Sequence, residues 1–275
     1  MTTVSAIDAA GALGRTFVAD MEARPASDWD LPSDCEGWTV AATIVHLAQV
    51  ATFLGDSIRR GIAGDGGPPQ LVKDGGVGAW RAWRAETMQV QLALPPAELL
   101  EWYRRATAEL TDAAHSIPVA PPGATGWHPV GSRPLSWIVD QWLFELALHD
   151  WDVRVAFDPL AEVRDGCRDA FGRTLPGRIG RGFAGGDDPA LAGRYRVQLV
   201  GDDPYSFILV AGDGALTERP DDGEPVVATI RTNPHTFAMV TTNRRPVDNV
   251  EGTERWQVDG DTEKAHAFGR AFKSY

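Results

Sequence analysis

Through the first half of the chain, apolar residues recur every three or four positions, the spacing of one face of a helix. The clearest case is 38–60, where Val40, Ile44, Leu47, Ala51, Leu54 and Ile58 form one stripe. Further helices are expected over 4–23, 79–94, 97–117 and from 134 to about 157. Pro95-Pro96 ends the helix over 79–94, and Pro134 suits the first turn of the last one. Between them, 61–78 is rich in Gly, Pro and Asp and reads as a loop. The segment 118–133 holds four prolines and three glycines, as a long connection would.

The pattern changes near residue 160, where Asp158-Pro159 and a polar stretch mark a boundary. A helix is expected over 162–181. Tyr195-Arg-Val-Gln-Leu-Val alternates polar and apolar residues, as a half-buried strand does, and Ser206-Phe-Ile-Leu-Val-Ala reads as its hairpin partner across Gly201-Asp-Asp-Pro. A strand over 226–232, a helix over 234–243 and a last helix capped by Asp261 complete the reading. The expected fold is therefore a two-domain chain. A four-helix bundle with at least one long crossover spans 1–160, and a smaller α/β domain spans 161–275. Bundles of this kind build metal sites from inward-facing side chains.

Composition narrows the function classes. The chain has 275 residues, 43% of them hydrophobic and 23% charged, which gives ample material for a core. Its net charge of −12 would repel a phosphate backbone, so nucleic-acid binding and a DNA-associated regulator are disfavoured. The N-terminus lacks a basic start followed by an apolar stretch, and no apolar run approaches a membrane span of about 18 residues. Cys35 and Cys167 lie far apart and form no CxxC pattern. Two free thiols in a reducing cytoplasm is the economical expectation.

The chemistry concentrates in Trp142-Leu-Phe-Glu145-Leu-Ala-Leu-His149-Asp150-Trp151-Asp152. Glu145 and His149, four residues apart, share one helical face about 40° apart around its axis. A carboxylate among so many apolar neighbours costs several kcal/mol if left unpaired and charged. Gln141, Glu145 and His149 form a polar stripe that either a metal ion or a buried ion pair to an arginine would explain. His46, on another helix, would complete a two-nitrogen, one-oxygen set with an open position, the arrangement of catalytic rather than structural sites. That set admits zinc and also non-haem iron.

Two stretches carry a family resemblance. Ser33-Asp-Cys35-Glu-Gly37-Trp38-Thr39-Val-Ala-Ala-Thr-Ile-Val-His46-Leu resembles the opening motif of the mycothiol-dependent maleylpyruvate isomerases, which are DinB-like metal-binding bundles. Glu145-x-x-x-His149-x-Trp151-Asp152 is similar to that family's second motif. The second half resembles, more loosely, the sterol-carrier-like α/β domain of the same family, with Thr241-Thr-Asn-Arg244-Arg245-Pro and Val258-Asp-Gly260-Asp261 near its end. The resemblance implies zinc, or another divalent metal, held by His46, Glu145 and His149. It also implies mycothiol, a sugar-linked low-molecular-weight thiol, as cosubstrate toward a small electrophile. Isomerisation and transfer of the thiol are both open, as is a non-enzymatic module that binds a small molecule or partner with the metal structural or absent. By the same resemblance Arg244 or Arg245 is a candidate to meet a substrate carboxylate bidentately, against a plain surface turn before Pro246.

The remaining candidates carry blander expectations. Asp150 and Asp152 suit either a solvated helix end or a role orienting an imidazole. Asp152 stands so near His149 in sequence that Gln141 or a more distant group is the preferred partner for that ring. Cys35 is expected to be a small buried thiol and Cys167 a structural one.

Overall fold

The structure is a computed structural model that describes residues 3–250 and 252–273. The chain combines helices with sheet and divides into two compact units, Met1–Cys167 and Arg168–Tyr275.

In the first unit, α1 (Thr3–Glu22) packs on α4 (Pro96–His115) and α5 (Leu135–Arg154), and α2 (Val40–Ile62) packs on the same two helices. The Thr39 hydroxyl starts α2 by accepting from the Ala42 N–H at 3.2 Å, satisfying one of the free donors at the helix start. By length and hydropathy α2 is apolar enough to cross a membrane, but 67% of its apolar stretch is buried against its neighbours. In α5 every residue from Leu146 to Val153 is buried. A helix enclosed on all sides has no amphipathic stripe, which explains its weak periodicity in sequence.

Two segments depart from expectation. The 61–78 loop is shorter than expected, because α3 already begins in it and runs Gln70–Gln91 with a break at Gly76, whose φ of 70° only glycine adopts easily. The 118–133 connection contains a hairpin of β1 (Thr125–His128) and β2 (Gly131–Pro134). This hairpin lies on α2, where the Ser57 hydroxyl donates to the Trp127 carbonyl at 2.7 Å.

The expected helix over 162–181 is two, α6 (Asp165–Thr174) and α7 (Pro176–Ile179), because Pro176 has no N–H to continue the first. The second unit is built on a five-stranded sheet of order β5-β4-β3-β6-β7. Its strands are β3 (Gly193–Leu199), β4 (Tyr205–Gly212), β5 (Ala215–Pro220), β6 (Ala228–Thr232) and β7 (Trp256–Gly260). β3 and β6 pair in parallel, and the other pairings are antiparallel. Tyr195, Val197, Phe207, Leu209 and Ile230 form a fully buried face, joined by Phe237 of α8 (Pro234–Thr241) and Phe268 of α9 (Thr262–Arg270). The expected β3–β4 hairpin is present, and the Asp261 carboxylate caps α9 by accepting from the Lys264 N–H at 2.9 Å. Both edge strands, β5 and β7, were absent from the sequence reading.

Seating of the hairpin on α2 can be tested at Gly61, where an added Cβ would stand 2.5 Å from the Thr125 carbonyl oxygen. Gly61→Ala is expected to cost about 1–3 kcal/mol, as overpacking does, and to lower the urea midpoint. An unchanged midpoint would contradict that contact.

Candidate metal centre

α2 contributes His46, and one face of α5 contributes Glu145 and, a turn later, His149. Glu145 Oε2 stands 3.3 Å from His46 Nε2 and 3.4 Å from His149 Nε2. The two imidazole rings are edge to face, 4.7 Å apart at their centroids. All three side chains keep a little exposure, 23% for Glu145, 14% for His46 and 11% for His149, so the centre is reachable from solvent.

Those distances bear on what the three groups can hold. Charge-assisted N–H···O bonds run about 2.7–2.9 Å, shorter than either contact. Two ligand atoms about 2.05 Å from one tetrahedral zinc stand about 3.3 Å apart, close to both. The residues therefore fit a divalent ion on spacing and on donor chemistry. A second set of possible ligands shares His149 through its other nitrogen: Cys35, His149 and Asp152. There the His149 Nδ1 to Asp152 Oδ2 distance is 2.7 Å, the length of a hydrogen bond and too short for two ligands of one zinc.

Asp152 is thus the partner of the His149 ring, contrary to the expectation that it lies too near in sequence. Three residues further along α5, it is fully buried and meets Nδ1 from the side, leaving Nε2 aimed at Glu145. A carboxylate behind an imidazole fixes the tautomer and raises the basicity of the outward nitrogen. Cys35 departs from expectation too. It is half-buried, and its thiol donates to the same Asp152 oxygen at 3.1 Å, with Sγ 3.5 Å from His149 Nδ1. Nor do the two aspartates form a solvated helix end. Asp150 is buried and takes Arg154 Nε at 2.8 Å and Arg164 Nε at 3.0 Å, so it braces the fold and touches no imidazole.

Around the other two groups the supports differ. Gln141 donates to Glu145 Oε1 at 2.7 Å, fixing the carboxylate from the preceding turn. Trp38 stands beside both imidazoles, with ring centroids 5.0 Å from His46 and 6.3 Å from His149. Arg84 of α3, which sequence reasoning missed, places Nη2 3.0 Å from His46 Nδ1. Since a guanidinium only donates, Nδ1 accepts, and the neutral His46 ring carries its proton on Nε2, toward Glu145.

Charges follow from these contacts. Burial lowers the His46 pKa to about 4, against the pull of Glu145, so the ring is neutral at ordinary pH. For Glu145, burial alone would favour the protonated form. Hydrogen bonds from His149 and His46 outweigh it and hold the carboxyl well below its usual range. Burial likewise opposes charge on His149, but the bond to Asp152, aided by Cys35 and Glu145, pushes its pKa well above the usual imidazole value.

Arg244 and Arg245 lie in the second unit, half-buried just beyond α8. Asn243 turns the chain there with φ of 55°. Both backbone N–H groups close on the Met239 carbonyl, at 2.9 and 3.1 Å. Arg245 also donates from Nη1 to the Arg244 carbonyl at 2.6 Å.

A neutral, buried His46 has a consequence for stability. In the unfolded chain an imidazole protonates near pH ~6.5, while folded His46 stays neutral down to about 4. The unfolded state binds more protons between these values, so this residue costs stability as pH falls through that window. In metal-free protein His46→Gln is expected to remove roughly 3 kcal/mol of that acid-side loss, read from urea midpoints at neutral and acid pH. Parallel pH dependences of wild type and variant would contradict it.

Comparison with known proteins agrees with the fold. The family model described as mycothiol maleylpyruvate isomerase N-terminal domain matches residues 10–154, more than half of the chain and all three converging residues. Two solved structures are similar over nearly the whole chain: a mycothiol-dependent maleylpyruvate isomerase and a histidine-to-alanine mutant of it. Each covers 94% of this chain and 93% of its own, at 15% identity, with TM-scores of 0.60 and 0.61 respectively. At that identity the likeness is one of fold. A search of curated proteins finds no match. The chain belongs to the mycothiol maleylpyruvate isomerase N-terminal domain family.

Proposed function

We propose that this chain is a metal-dependent enzyme that uses a low-molecular-weight thiol against a small electrophile, with zinc held by His46, Glu145 and His149. Mycothiol is the proposed thiol, and cis–trans isomerisation of the maleylpyruvate type or thiol S-transfer the proposed reaction. On this reading α1, α2, α4 and α5 make a DinB-like four-helix bundle, and the second unit is sterol-carrier-like. The observation that carries the proposal is the spacing of two imidazole nitrogens about one carboxylate oxygen, 3.3 and 3.4 Å, in a chain of this family.

Zinc bound there would supply a cationic position that favours thiolate, the nucleophilic form, over thiol. The protein's own contribution is to hold that position in shape. Asp152 keeps His149 in the tautomer that aims Nε2 inward, and Gln141 keeps one oxygen of Glu145 turned from the centre. A single carboxylate among the three inward groups leaves the loaded centre positive, suited to an anionic sulfur. Trp38 walls one side of the imidazole pair. Arg244 or Arg245 is proposed to bind a substrate carboxylate.

In the isomerisation, a thiolate adds to the activated double bond and pushes its π electrons onto the conjugated carbonyl. Rotation about the resulting single bond and expulsion of the same thiolate return the cosubstrate unchanged. In transfer the carbon–sulfur bond persists and the enolate carbon takes up a proton from water. Incubating the zinc-loaded protein with mycothiol and a panel of cis-unsaturated diacids and other electrophiles, read by mass spectrometry, tests this. Isomer without adduct, or a stable adduct, is expected, and His46→Ala should lose at least 100-fold in rate. Turnover equal in wild type and His46→Ala, or none with any pair, would overturn the enzymatic reading in favour of a binding module.

For the arginines, Arg244→Ala and Arg245→Ala measured separately should divide. One is expected to raise KM for a diacid tenfold or more with zinc content unchanged, as loss of a bidentate pair does. Unaltered KM in both would remove them from the site.

A further inference from the structure

Arg84 is a charge without a counter-charge. It lies on α3, half-buried, and no carboxylate stands within ion-pair distance of its guanidinium among the described residues. Its partners are neutral: Nε donates to Gln49 Oε1 at 3.2 Å, and Nη2 to His46 Nδ1 at 3.0 Å. The Glu145 carboxylate acts on it only through space, against the cost of burial. A cation removed from water is ordinarily matched by a carboxylate; this one is matched by an amide and an imidazole.

The arm is nonetheless held in place. Gln49, itself buried, clamps Arg84 at both ends of the residue, since its Nε2 donates to the Arg84 carbonyl at 3.2 Å and to Gln91 Oε1 at 2.9 Å. The guanidinium lies over the buried Trp80 indole, 5.0 Å from its centroid. A guanidinium braced by an amide and an aromatic face, at the rim of a solvent-reachable centre, is pre-organised for a planar anion.

We propose that Arg84 is a carboxylate-binding residue of the centre formed by His46, Glu145 and His149, and that it receives the carboxylate of a small organic acid beside the reacting carbon. This deepens the reading above and rests on it for the identity of the centre. It also implies an order of binding. Arg84 can donate to His46 Nδ1 only while that nitrogen is bare, which puts the proton on Nε2. Coordination through Nε2 requires the opposite tautomer, with Nδ1 protonated and facing the guanidinium. Filling the centre therefore takes away the acceptor of Arg84 and frees Nη2 for an incoming anion.

Calorimetry with succinate, an unreactive dicarboxylate, tests this on wild type, Arg84→Met and Arg84→Lys, each zinc-free and zinc-loaded, with succinamide as the uncharged control. Zinc-loaded wild type is expected to bind succinate at least tenfold more tightly than succinamide and than Arg84→Met does, with Arg84→Lys in between. The Arg84→Met deficit should persist, smaller, in zinc-free protein. Zinc affinity should be equal or tighter in Arg84→Met, since the donor that favours the unsuited tautomer is gone. Succinate affinities within twofold for wild type and Arg84→Met in both states would overturn the role of Arg84, as would equal binding of succinate and succinamide. If wild type takes up no zinc, the metal reading falls. The zinc-free comparison of wild type and Arg84→Met then decides the carboxylate site alone.

Discussion

Of the four carboxylates on helix α5, Asp150 and Asp152 are buried and Glu145 is mostly so. None of these three can stay charged there without a partner, so the arrangement of α1, α2 and α5 around them is constrained by pairing as much as by packing. Asp150 is answered by Arg154 from its own helix and by Arg164, which also reaches Asp20 on α1. Asp152 is answered by the His149 ring and the Cys35 thiol. Glu145 alone is met by two imidazoles at distances longer than a good hydrogen bond, and it alone keeps access to solvent.

That contrast separates two kinds of carboxylate cluster on one helix. The Asp150 cluster has ordinary ion-pair lengths, so its groups are spent on each other. The Glu145 cluster is spaced more widely, at 3.3 and 3.4 Å, with a neutral His46 on one side and a His149 made basic by Asp152 on the other. An ion that displaced the proton between Glu145 and His149 would meet ligands already aligned by Asp152 and Gln141.

Much of this was legible in the sequence because helical periodicity is local. The i, i+4 spacing put Glu145 and His149 on one face, and a polar stripe in an apolar helix marked a candidate site. His46 was reached partly through family resemblance, since one histidine on an apolar helix says little by itself. The role of Asp152 was misjudged because spacing along a helix does not show that an imidazole can turn its inner nitrogen sideways. Cys35 looked like packing for a similar reason: its meaning comes from a contact 117 positions away. Arg84 left no signal, because α3 is polar and lightly packed and its partner Gln49 lies on another helix. Strands β5 and β7 were missed because edge strands carry polar residues on their solvated sides and so lose the alternation that reveals an inner strand.

Zinc K-edge X-ray absorption on the stoichiometrically loaded protein addresses the central claim most directly. The account expects a first shell of light atoms at about 2.0–2.1 Å, two of them imidazole nitrogens, with one imidazole missing in His46→Ala. A sulfur scatterer near ~2.3 Å would instead place the ion between Cys35, His149 and Asp152, and would contradict the assignment.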